Sequence, residues 1–217
     1  MLWLAGGFLL AFLVPFLLAD TFGIPRDLYY GVYAAAVVGY VVLWARATGV
    51  SLTEAAARRW PWAVGLGVAA GALLALVVWR TEDATPRPDG IGLVAAIGWR
   101  GLVYGAADGL LLSAFPILAV FAAFAGSRLR RSRAGTVLVA LVALSASLAM
   151  TTVYHAGYAD FRGEKMSKPV RGDVVWSAPT LLTLNPIGAP IAHAAMHTAA
   201  VVHSYETDTF LPPHPTD

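Results

Sequence analysis

Five ionisable side chains stand inside or at the edge of stretches that are otherwise apolar: Arg100, Asp108, His155, His193 and His197. His193 and His197 are four residues apart, which on a helix stacks both imidazoles on one face, the arrangement from which a divalent metal takes two nitrogen ligands. Arg100, Tyr104 and Asp108 follow the same step, so a guanidinium, a phenol and a carboxylate share one stripe, and the arginine could tune the carboxylate. Thr151 and Thr152 precede His155 by one helical turn, where a hydroxyl could orient the imidazole. The chain has no cysteine, which excludes disulfides, thiolate nucleophiles and Cys-ligated metals and leaves His and carboxylate as the metal ligands. The candidate catalytic and metal-binding residues are therefore Asp108, His155, His193 and His197. Zinc is the divalent ion best suited to three imidazoles, a carboxylate and a water, and no other cofactor is expected.

The elements that hold these residues follow from composition. Of 217 residues, 58% are hydrophobic and 13% charged, and the mean hydropathy is +0.67. Soluble domains carry roughly 25% charge, so the reading is an all-α, polytopic integral membrane helix bundle in one domain, residues 1–217. Six stretches are expected to span: Leu2 to Leu18, Leu28 to Ala45, Pro61 to Trp79, Gly101 to Ala125, Thr136 to Tyr154 and Pro186 to Val202. The first lacks the basic residues that open a secretory signal and reads as a retained span. Tyr29, Tyr30, Trp44, Trp60, Trp62, Trp79 and Trp99 are expected at headgroup level. Arg100 interrupts the apolar run before the fourth span, which leaves two readings open: a short interfacial helix leading into that span, or one long tilted helix.

The acid-free cluster Arg128, Arg130, Arg131 and Arg133 argues for a cytoplasmic loop, and six spans then place both termini on the cytoplasmic side of the cell membrane. The net charge of +2 reports topology, so the expected partner is the lipid bilayer and no nucleic acid. With span six running inward, Asp108 and His193 lie roughly 10 Å below one surface and His155 near it, by helical rise. Gly101, Gly105 and Gly109, and Gly67 with Gly71, are four apart and suited to close helix packing. The segment Gly157 to Pro179, with Asp173 among its charges, reads as a solvated connection. His203 and Glu206 are expected at the face opposite the site, and His214 in a solvated tail.

Ionisable groups in hydrocarbon are costly unless partnered, which makes each a candidate for function. Two readings stay open for the histidines: metal or catalytic work, and interhelical hydrogen bonds in a non-enzymatic interaction or scaffold protein. The order Asp108, Tyr154-His155, His193-Ala194-Ala195-Met196-His197 resembles the CPBP (Abi, CAAX-protease type) family of intramembrane proteases, which reads Glu-Glu-x-x-x-Arg, Phe-x-x-x-His and His-x-x-x-Asn on successive spans. The resemblance covers Gly101 to Val202. It implies an intramembrane protease or amide hydrolase, with His155 and His193 at the two histidine positions and Asp108 at the second acidic one. Ala107, Leu112, Thr151 and His197 stand where the family has Glu, Arg, Phe and Asn. The pieces Thr151 to His155, Asp108 and His193 to His197 also resemble those of ceramidase and PAQR-like zinc lipid hydrolases, which implies a membrane-embedded lipid as the other substrate class.

Overall fold

The computed structural model describes residues 2–213, and these are helical with no strand. Five helices are long and apolar enough to cross a membrane: α1 (Leu2–Thr21), α2 (Arg26–Thr48), α4 (Trp60–Thr81), α5 (Gly90–Ala123) and α6 (Arg133–Ala156). The short α3 (Leu52–Ala57) lies between α2 and α4, its first turn capped by the Ser51 hydroxyl, which accepts from the Glu54 amide at 3.2 Å. Two further helices, α7 (Ser167–Thr183) and α8 (Gly188–His203), have 17 and 16 residues. The sixth expected span, Pro186 to Val202, is thus a helix shorter than the other five. His214 lies outside the described residues.

α5 takes the long-helix alternative and not the short interfacial helix. It is one continuous helix of 34 residues, and its most apolar window is 78% buried against 17% for α1, so it is the central pillar. Arg100 does not interrupt it. The backbone passes that position in a π-helical stretch, Ile97–Tyr104, and the guanidinium leaves sideways to the Asp27 carboxylate, with nitrogen to oxygen distances of 2.9 and 2.8 Å. A second π stretch, Leu110–Ala114, follows Asp108. At about 1.5 Å per residue α5 is longer than a bilayer core, and its first turns extend past it or tilt.

The segment read as a solvated connection holds α7, which runs about 25 Å through the bundle. Pro169, Asp173, Trp176, Ser177, Pro179, Thr180 and Thr183 are its buried residues, most of them on one face at helical spacing, and that polar-rich face replaces the expected loop. This extra traverse reverses α8. Asn185, in the turn after α7, donates to the Ala56 and Arg58 carbonyls at 2.8 and 2.7 Å, so α8 starts beside the α3–α4 connection. It ends beside the end of α4, where His203 Nε2 and the Glu82 carbonyl are 3.1 Å apart. Arg26, at the start of α2, donates to the Pro213 carbonyl at 2.7 Å, so the described C-terminal segment and the start of α1 lie at opposite ends of the bundle.

α8 is held between two glycine stripes. A Cβ at Gly67 would meet the Gly188 carbonyl oxygen at 2.8 Å, and one at Gly71 would meet the Ala195 Cβ at 2.6 Å. On the other flank, Gly101 faces Thr198, Gly105 faces Ala194, and Gly109 faces Pro190, where a Cβ would lie 2.6 Å from the proline Cα. In lipid, where helices gain little from hydrophobic burial against one another, such close backbone approach is what secures them.

Of the expected interfacial aromatics, Trp60, Trp62, Trp79 and Trp99 are exposed, but Tyr29, Tyr30 and Trp44 are not. Tyr29 and Tyr30 join Tyr33, Tyr104, Tyr154 and Tyr158 in a buried cluster between α2, α5 and α6. Four of its hydroxyls are linked, Tyr104 to Tyr154 at 2.8 Å, Tyr154 to Tyr158 at 2.8 Å and Tyr29 to Tyr158 at 2.6 Å, which gives those phenols partners in a dry core, whereas the Tyr30 and Tyr33 hydroxyls are buried without one.

Candidate metal centre

Asp108 sits in the short α-helical stretch Gly105–Gly109 between the two π segments of α5. Because Gly105 and Gly109 bracket it, α8 approaches at backbone distance, and the His197 ring packs beside Gly105. The Asp108 Oδ2 and His197 Nε2 atoms are 3.3 Å apart, and the His193 and His197 rings stack with centroids at 5.7 Å. One ligand atom from each of Asp108, His193 and His197 lies within 4.8 Å of the others. All three residues are at most 3% exposed.

Their hydrogen bonding is anomalous for so dry a place. Asp108 Oδ1 and both ring nitrogens of His193 and of His197 have no hydrogen-bond partner. Buried polar atoms are normally paired, so a carboxylate and two imidazoles with orphaned atoms, one ligand atom of each within 4.8 Å of the others, are the pattern that a cation satisfies. The donor set of two imidazoles and a carboxylate suits zinc or a similar divalent ion. The tyrosine cluster reaches the same point: the Tyr104 ring meets the His197 ring edge-on at 4.9 Å, and Trp176 of α7 covers His193 at 4.2 Å.

His155 stands beside this group and not within it. It lines the same cavity, packed between the Tyr154 and Phe161 rings at 5.1 and 4.8 Å. Its Nδ1 lies 2.8 Å from the Thr151 backbone carbonyl, to which it donates, so Nε2 of the neutral ring is an acceptor. The expected threonine hydroxyl contact is therefore a main-chain one, and the Thr152 hydroxyl instead donates to the Leu148 carbonyl at 2.8 Å. Arg100 is committed to Asp27 and lies over the Tyr205 ring at 4.6 Å, which removes it as the partner of Asp108.

The cavity holds about 350 Å³. Asp108, His155, His193 and His197 form its polar part, Leu74, Val175, Trp176 and Met196 its apolar walls, and Lys168 and Arg171 a basic rim. Phe210 and Pro212 also line it, so the C-terminal segment lies against the site, contrary to its expected position at the far face. The segment is tied there by Lys165 to Asp208 at 2.5 Å and by the Thr207 hydroxyl to Glu82 at 2.8 Å.

Asp173 of α7 escaped the sequence reading. It is fully buried, and the hydroxyls of Ser113, Ser147 and Ser177 converge on its Oδ1, the first two at 3.2 and 3.0 Å. The signal was there in the helical spacing of Pro169, Asp173, Trp176, Ser177 and Thr180, obscured by the surrounding charges. No protein-family model, curated protein or solved structure matches the chain.

Proposed function

We propose that this membrane protein is a metal-dependent hydrolase that cleaves an amide bond within or at the edge of the bilayer. The observation that carries the reading is the Asp108, His193 and His197 cluster, with its ligand atoms within 4.8 Å of one another and without hydrogen-bond partners, at the polar end of a cavity with apolar walls. Asp108, His193 and His197 would hold a divalent ion, which would supply Lewis acidity toward a carbonyl and lower the pKa of a water toward roughly 7. The chain's own residues do the rest. His155, fixed by the Thr151 carbonyl, presents an acceptor nitrogen that takes a proton from the attacking water and returns it to the leaving amine. The walls exclude bulk water and receive an apolar segment of a membrane-embedded peptide or lipid.

The resemblance to CPBP intramembrane proteases supports the same reading, since its two histidine positions and its acidic position, His155, His193 and Asp108, line one cavity. The non-enzymatic alternative needs the histidines as interhelical hydrogen bonds, and His193 makes none.

The test is metal content. Protein purified in lipid nanodiscs is expected to retain close to one zinc per chain by mass spectrometry, and His193→Ala or Asp108→Asn to lower affinity by on the order of a hundredfold. His155→Ala is expected to keep the metal and lose hydrolysis of a lipid amide or transmembrane peptide. Wild-type protein that binds no divalent ion overturns the reading.

A further inference from the structure

The second buried aspartate calls for a partner of its own. Asp173 is 0% exposed, and no lysine or arginine among the described residues pairs with it. An ionised carboxylate in that position must be neutralised by a proton or a cation. Its two oxygens are not alike. Oδ1 faces three serine hydroxyls, whereas Oδ2 is buried with no hydrogen-bond partner, as is the Thr151 hydroxyl, which acts on the same carboxylate. A proton on Oδ2 would have the Thr151 hydroxyl as its one acceptor, whereas a cation would engage the whole set of oxygens around the carboxylate.

The groups that meet at Asp173 are all oxygens. Ser147 lies 2.9 Å from the Leu112 carbonyl and 2.8 Å from the Ser177 hydroxyl, and Ser177 lies 2.9 Å from Ser113. Leu112 belongs to the π stretch Leu110–Ala114, where the widened turn frees a carbonyl to look outward. One carboxylate, four hydroxyls and a main-chain carbonyl make a hard-oxygen set with a single negative charge. No nitrogen ligand belongs to it and Asp173 does not line the cavity, so it is chemically distinct from the centre at Asp108.

We infer that Asp173, Ser113, Ser147, Ser177, Thr151 and the Leu112 carbonyl form a site for a small monovalent cation, sodium by charge and donor hardness, bound between α5, α6 and α7. The ion ties together the three helices that carry Asp108, His155 and Trp176, so it rigidifies the bundle beneath the metal centre. It adds no ligand to that centre.

The experiment is thermal unfolding of the full-length protein in zwitterionic nanodiscs, titrated with NaCl against KCl and choline chloride at constant ionic strength. Sodium at about ten times its half-saturating concentration is expected to raise the Tm by about 3–6 °C, with potassium weaker and choline without effect. Ser177→Ala, a conservative change, is expected to shift the sodium dependence to about tenfold higher concentration, and Asp173→Asn to abolish it. Zinc content, measured on the same samples, should stay as in the wild type in both variants, so loss of zinc binding in the wild type sinks the hydrolase reading and leaves the sodium result to stand alone. Equal responses to sodium, potassium and choline overturn the cation site and leave Asp173 as a neutral acid. So does a sodium response that persists in Asp173→Asn.

Discussion

Asp108 and Asp173 are both buried carboxylates in a lipid-embedded bundle, neither paired with a lysine or arginine among the described residues, yet their company differs in kind. Asp108 faces two imidazoles across a glycine-lined helix contact and opens onto a cavity, with its free oxygen and the ring nitrogens unsatisfied. Asp173 is closed in among serines and already accepts three hydroxyls. The difference teaches that in hydrocarbon the residue type marks only the cost of burial; the neighbours and the access to a cavity decide whether that cost supports chemistry or architecture.

The most severe way to break the contrast is to remove what both clusters share. Gly109 separates Asp108 from the π stretch that carries Ser113, and a Cβ there would lie 2.6 Å from the Pro190 Cα and 2.7 Å from the Ala189 carbonyl oxygen. Gly109→Leu is expected to push α5 from α8, costing about 3 kcal/mol in an unfolding titration and emptying the metal centre.

Next come the aspartates themselves. Asp173→Ala deprives three hydroxyls of their common acceptor and is expected to destabilise by about 2 kcal/mol with metal content unchanged. Asp108→Ala is expected to fall within about 0.5 kcal/mol of the metal-free wild type, because the cost of burying the carboxylate offsets its contact with His197 Nε2, while zinc is lost. Identical stability losses from the two substitutions would erase the distinction.

Smaller effects mark its limits. Arg100→Gln breaks the pair with Asp27, whose side chain is 55% exposed, so the expected loss is about 0.5–1 kcal/mol, with metal affinity unchanged. A fall in metal affinity would return Arg100 to Asp108. The smallest is at the C-terminal segment. The Asp208 carboxylate beside Lys165 holds that ammonium above the ordinary lysine range. Its contribution is complete below about pH 10.4, the free lysine value, and is lost as the pH rises through the raised folded one. Lys165→Met should therefore lower stability slightly at neutral pH, where the pair is intact, and flatten the alkaline limb, so that variant and wild type converge above the lysine range.

How much was legible varies by residue. Asp108, His193 and His197 stood out because charge and imidazole are rare in apolar runs, and the i, i+4 spacing of the histidines needed no tertiary knowledge. The expected route to their meeting was nevertheless mistaken. α8 runs opposite to its expected direction because α7 adds a traverse, and the side chains converge because two glycine stripes fix the rotation and depth of α8. Asp173 was missed since a helix face built from Asp, Ser and Thr has the composition of a loop. Tyr29 and Tyr30 were misplaced at headgroup level because an amphipathic ring suits either a membrane edge or a hydrogen-bonded core.

By itself the sequence determined the solvent and therefore the class of fold, since apolar runs of this length can satisfy their backbone in lipid only as helices. It also determined which few groups would be expensive to bury. Tertiary structure alone decided which of them meet, because helix direction, rotation and depth are set by packing between surfaces that no single segment encodes, and a shift of one helical turn would have carried either aspartate away from its partners.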